Sequence, residues 1–364
     1  MLKAVSGRDE GFQQQLDPRP LADGASRTRP PCPKVAGKGG RKKVGHEVDE
    51  AESTPGAAGA TRDTHGVRAQ LSRALGERRT SGGGFVAVPG GPADSESTAL
   101  SALALHAMGD ELGETVAWLQ ARQRADGAWP RTDAVREASW ATAWAALALA
   151  RLDAGSSEPV ARAGAWLTRR EGRRPGLLTR VIGHLTNLDE RLEQDLMLVG
   201  WPWHEDAASW VEPTATAMLA LHAIRERAAL PAAAERLEQG ERLLWDRVCV
   251  DGGWNYGNRR VLGEVLLPFP DTTAFALLAL QGSPREPELA RSFDALERLL
   301  DERASGLSLA LAVLAHELHG RDAHPLRERV AEKVGQPEAA RETRSIAFMA
   351  LALSGGAELL RASR

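Results

Sequence analysis

The 364-residue chain predicts an all-α fold, an (α/α)6 toroid of six helical hairpins behind a disordered N-terminal tail. Three observations carry that expectation. An eight-residue apolar motif recurs six times; a more amphipathic segment precedes each copy; and a glycine–aromatic element stands ahead of four of them, at one identical distance in three.

The tail comes first. Residues 1–64 are rich in Gly, Pro, Arg and Ser, hold Phe12 as their only aromatic residue, and show no sustained helical or strand period. Such a stretch has little to bury, so it is expected to be disordered and dispensable, with residues 65–364 forming the toroid.

The six motif copies are Thr98–Leu105, Thr142–Leu149, Thr214–Leu221, Thr273–Leu280, Leu309–His316 and Ile346–Leu353, all with Ala at positions two and seven and Leu at six. A helix that is apolar all round belongs in an interior, so these are expected to be inner helices. Between them, Glu111–Arg124, Pro159–Arg170, Ala232–Val248, Glu286–Leu300 and Pro325–Val334 place apolar residues at three- and four-residue spacing. With Val67–Arg79 they make six outer helices, and the first can pack beside the last inner helix to close the ring with essentially no sheet. The aromatics Phe85, Trp129 and Trp201 lie 13 residues before their motifs, and Trp254 lies 19 before its own. The preceding glycines end the outer helices in a left-handed turn, and the rings plug the hairpin junctions. A helical insertion is expected over residues 177–199.

Composition limits the function. The chain is 43% apolar and 26% charged with mean hydropathy −0.32. The apolar stretch Ala138–Ala150 is shorter than the ~18–20 residues that span a bilayer. No signal-peptide pattern follows Met1, so the expected location is cytoplasmic. Residues 1–80 carry +5 and the remainder −8, which gives the ring no nucleic-acid signature. Cys32 and Cys249 lie far apart in dissimilar contexts and form neither a disulfide framework nor a metal clamp.

Trp118-Leu-Gln-Ala-Arg-Gln with Asp126-Gly-Ala-Trp129, Asp251-Gly-Gly-Trp254 and Pro270-Asp-Thr-Thr-Ala-Phe resemble the prenyltransferase and squalene-cyclase repeat family from about Val67 to the C-terminus. The resemblance implies a toroid whose central aromatic cavity accepts an isoprenoid chain. The chain departs from it in chemistry. Where the cyclases carry Asp-x-Asp-Asp it has Trp210-Val-Glu-Pro213, which leaves the single acid Glu212, and Asp246-Arg-Val-Cys249 lacks the zinc spacing of the protein prenyltransferases. No metal and no cofactor are expected.

Glu96, Glu212 and Asp271 each stand two residues before a motif start. There they either cap a helix N-terminus or converge on one rim, where burial raises a carboxyl pKa toward general-acid use. Glu212 and Asp271 are the candidate catalytic acids. Trp140, Trp201, Trp203, Trp210, Tyr256, His204, Asp206 and Glu96 are candidate substrate-binding groups on the tryptophan-rich side of the ring. His106, His222 and His316, at the other helix ends, read as structural. Two functions stay open: a cyclase-like or prenyl-transferring enzyme acting on an isoprenoid or similar apolar chain, and a non-catalytic toroid that binds a lipid or a partner protein. The expected partner is an apolar small molecule and no nucleic acid, with peripheral membrane contact kept open.

Overall fold

The computed structural model describes residues 64–152, 155, 157–176, 193–261, 263–339 and 341–363. The N-terminal tail, apart from its last residue, and most of the expected insertion therefore lie outside the described residues; positions 193–199 run as turns and irregular chain rather than helix.

Outer and inner helices alternate. The outer set is α1 Thr64–Gly76, α3 Thr115–Ala121, α5 Glu158–Arg169, α7 Ala233–Asp246, α9 Glu286–Leu299 and α11 His324–Lys333. The inner set is α2 Ser95–Met108, α4 Ala141–Leu152, α6 Val211–Arg225, α8 Pro270–Ala279, α10 Gly306–Leu318 and α12 Thr343–Leu353. Each inner helix packs on the next, and α12 packs on α2, so the inner ring is closed; α1 fills the outer groove against α12. The first and last hairpins of the ring are also tied directly, because Thr343 donates its hydroxyl to the Val86 carbonyl at 2.6 Å and its N–H to that of Ala87 at 2.9 Å.

The motif threonines explain the regular spacing. Thr98, Thr142, Thr214 and Thr273 accept through Oγ1 the backbone N–H of Phe85, Trp129, Trp201 and Trp254 at 2.9–3.0 Å. Three of these rings also donate Nε1–H to the last turn of the preceding outer helix: Trp129 to Leu119, Trp201 to Leu167 and Trp254 to Leu244. All four aromatics are at most 2% exposed, so the spacing encodes a buried hydrogen-bond clamp. Gly127 has φ +95°, and a Cβ there would strike the Arg162 carbonyl. It turns the chain after the outer helix rather than ending the helix itself.

Short strands do occur, but among the described residues none exceeds four residues, in keeping with an expectation of essentially no sheet. β1 Phe85–Val86, β2 Ala93–Asp94, β3 Pro130–Thr132 and β4 Val135–Ala138 form one antiparallel ribbon, and β5 Arg260–Val261 pairs with β6 Glu264–Val265. All belong to outer-to-inner connections, which are long enough to fold back on themselves. Among the described residues no helix is long and apolar enough to cross a membrane.

The two ends of the ring differ. At the C-terminal ends of the inner helices, the short 3-10 helix Gly356–Leu360 and the residues after it lie across the barrel. Arg151 donates to the Leu359 carbonyl at 3.1 Å, Gln281 to that of Leu360 at 2.9 Å, and Ser363 to that of His222 at 3.1 Å. Leu360 and Ala357 are buried beneath them, so the chain seals this end itself. Every large exposed apolar side chain among the described residues belongs to the opposite end: Val88, Val135, Met197, Val250, Tyr256, Val261, Val265, Leu267 and Phe269 all lie in outer-to-inner connections.

Candidate functional site

The residue two places before each motif start comes round once per inner helix. The six are Glu96, Trp140, Glu212, Asp271, Leu307 and Arg344, all half-buried at the open end of the ring. Helix geometry puts the third motif position one turn deeper on the same face. There stand Leu100, Trp144, Thr216, Phe275, Leu311 and Phe348, each at most 3% exposed. The rings of Trp144, Phe275 and Phe348 meet edge to face across the axis at 5.6–6.3 Å between centroids. The centre at this depth is thus filled by an aromatic plug where a central cavity was expected, and the six half-buried residues above it form a bowl-like layer.

Arg344 organises the bowl. Its guanidinium lies over the Phe275 ring, 5.1 Å from the centroid, donates to Glu96 Oε1 at 3.3 Å, and pairs with Glu212 Oε1. Trp140 Nε1 donates to the other oxygen of Glu96 at 2.9 Å, and Ser308 donates its hydroxyl to Asp271. Among the described residues, Glu212 takes its hydrogen bond at Oε1 alone. Burial opposes charge on Arg344, yet the carboxylates of Glu212, Glu96 and Asp271 outweigh it and push the guanidinium pKa up. For Glu212, burial is the largest influence and lifts the carboxyl above its ordinary value; Arg344 pulls the other way, and Glu96 and Asp271 add repulsion. Glu96 and Glu212 share one guanidinium with Asp271 nearby, and of these acids it is Glu212 that the arrangement inclines to hold a proton.

The three acids are not helix caps. Asp94 caps α2, accepting from Ser97 N–H at 2.8 Å, while the N-cap positions of α6 and α8 are Trp210 and Phe269, which have no side-chain cap bond. The acids sit in the first turn instead, where six helix N-termini converge and ease their charge.

Aromatic groups ring the bowl. Trp140 meets Trp203 edge to face at 5.3 Å, Trp210 meets Tyr256 at 6.1 Å, and Tyr256 meets Phe269 at 5.2 Å. Trp201 does not join them; it is a junction plug, covered by the Arg236 guanidinium 4.1 Å from its centroid. His204 and Asp206 are exposed on the connection before α6, and neither has a hydrogen bond to the acids among the described residues. His222 and His316 are held by the Ser363 and Ala312 carbonyls at 3.0 and 2.8 Å. Arg344 was missed as a site residue, although Ile346 starts a motif and Arg344 stands two places before it. Among the described residues no group of three or more His, Cys, Asp or Glu is arranged to hold a metal ion.

No family model and no curated relative matches the chain. Solved structures do. The type II terpene cyclase MstE from Scytonema superposes with a TM-score of 0.54 at 15% identity, over 81% of this chain and 98% of the cyclase. The fold is an α/α toroid. The GH76A α-1,6-mannanase of a Salegentibacter species gives 0.53 at 13% identity over 82% and 100% of the two chains. A protein from Actinoplanes gives 0.51 at 16% identity over 82% and 99%. The toroid is therefore shared with proteins that act on very different molecules, and its chemistry has to be argued from the bowl.

Proposed function

We propose that this toroid is an enzyme acting on an isoprenoid or similar apolar chain at its open end, with Glu212 as the general acid. The observation that carries this reading is the surplus of three half-buried carboxyl groups over one guanidinium inside an aromatic rim. Arg344 fixes one oxygen of Glu212 and leaves the other for the proton. A chain lying in the bowl presents a C=C bond to that proton: the π pair takes it, Glu212 becomes a carboxylate paired with Arg344, and the faces of the rim aromatics stabilise the cation. Loss of a neighbouring proton to Asp271 returns a neutral isomer of the starting material. The MstE cyclase crystallised with geranylgeranyl dihydroxybenzoate supports a chain of this kind on this fold.

The filled axis favours a second reading, a non-catalytic toroid that binds the chain without turning it over. One experiment separates them. Purified protein is incubated with geranylgeranyl dihydroxybenzoate and with geranylgeranyl diphosphate, and products are resolved by mass spectrometry. The enzyme reading expects an isomer of unchanged mass, lost by on the order of 10²-fold or more in Glu212→Gln while the melting temperature holds. Stoichiometric binding without product in the wild type leaves the binding reading.

A further inference from the structure

Next to the Trp210–Tyr256 pair in the chain lies a cavity of about 390 Å³. Its wall includes the residue before Trp210 and the two after Tyr256, so it opens at the same end of the ring. Three arginines line it, Arg173, Arg174 and Arg247, and among the described residues no carboxylate side chain does. Arg247 is largely buried and fixed, donating to Asp246 at 2.6 Å and to the Asp195 carbonyl at 2.9 Å. Arg174 is shared with Glu171 at 3.2 Å. Arg173 is exposed, and among the described residues it faces no acid. Counted over the described residues that line it, the cavity therefore keeps a positive surplus after its ion pairs. Leu196 and Leu198 give it an apolar wall beside those charges.

We propose that this cavity is a binding site for a phosphate ester. A phosphoryl group matches the fork of a guanidinium, which offers paired N–H donors that a chloride ion or a single carboxylate oxygen uses poorly. The volume exceeds what inorganic phosphate fills, and the leucines accommodate the organic part of the ester. The inference is independent of the acid chemistry at Glu212, since no residue is shared between the two sites.

The ester is either a soluble metabolite or a lipid headgroup, and two probes distinguish these sources. Phenyl phosphate is titrated calorimetrically into the full chain at physiological salt, and the protein is floated with phosphatidylcholine vesicles with and without phosphatidic acid. Binding in either assay is expected to weaken at least about tenfold in the Arg173→Ala, Arg174→Ala pair and to be unchanged in Arg225→Ala, which lies at the sealed end. Arg173→Gln alone, a change at an exposed side chain, should reproduce a weakened isotherm if the pair folds poorly. Phenyl phosphate binding identifies a soluble ester; vesicle binding alone identifies a headgroup. Failure of both probes to bind, binding undiminished by the substitutions, or an equal loss in Arg225→Ala overturns the site.

Discussion

Arg344 carries more of the site than any other single residue. It is 22% exposed, against 15% for Glu96 and 12% for Glu212, so all three charges are largely withdrawn from water. Removing the cation strands the carboxylates, and Arg344→Met should cost about 3 kcal/mol at neutral pH, the low end for a broken buried pair because some solvent screening remains. Without the guanidinium the Glu212 carboxyl loses the partner that pulls its pKa down. The penalty falls on the ionised forms, so the loss should shrink as pH is lowered toward about 5. Chemical denaturation of wild type and variant at the two pH values checks this. Glu96, Glu212 and Asp271 were legible in the sequence because an acid before a Thr-Ala start is conspicuous. Arg344 was not, because its motif begins with isoleucine and a basic residue at a helix start looks like surface.

At the scale of elements, the repeated clamp is the device that fixes each hairpin. Thr142→Val or Thr214→Val keeps the volume but leaves a buried tryptophan N–H without an acceptor, which should cost about 1–3 kcal/mol each by denaturant unfolding. The boundaries of the outer helices were legible to within a few residues from their periodicity, and the motif placed every inner helix. The meaning of the 13-residue interval was not, since a hydrogen bond between a hydroxyl and a distant backbone N–H leaves no periodic trace. Half-buried histidines at the helix ends give these elements a pH dependence. Burial lowers the pKa of His222 and of His319 below 6.5, and a carbonyl partner only partly offsets it. The stability they contribute as neutral rings is complete above 6.5 and is lost as pH falls through that value toward their folded-state pKa. The melting temperature should therefore drop between about pH 7.5 and pH 5.5, and less steeply in His222→Gln, His319→Gln, although that variant starts lower.

The described helical unit is a ring with one end sealed by the residues after its last inner helix and the other apolar at its rim and charged at its centre. Truncation after Ser354 removes the hydrogen bonds to Arg151, Gln281 and His222 and uncovers the lower core, so it should lower the melting temperature and raise binding of an apolar dye. The toroid followed from six repeats that close, but the plug of Trp144, Phe275 and Phe348 did not, because three aromatics in separate copies meet only once the ring is closed. That plug stands where a deep cavity was expected and leaves the acid cluster above it as the place where the proposed chemistry would act. The cluster rests on Glu212 holding its proton more tightly than an ordinary glutamic acid. A carbon-13 NMR titration of the glutamate carboxyls, with Glu212 assigned by difference against Glu212→Gln, measures this directly. A midpoint above 4.5 agrees with the account, and one at or below 4.5 contradicts it.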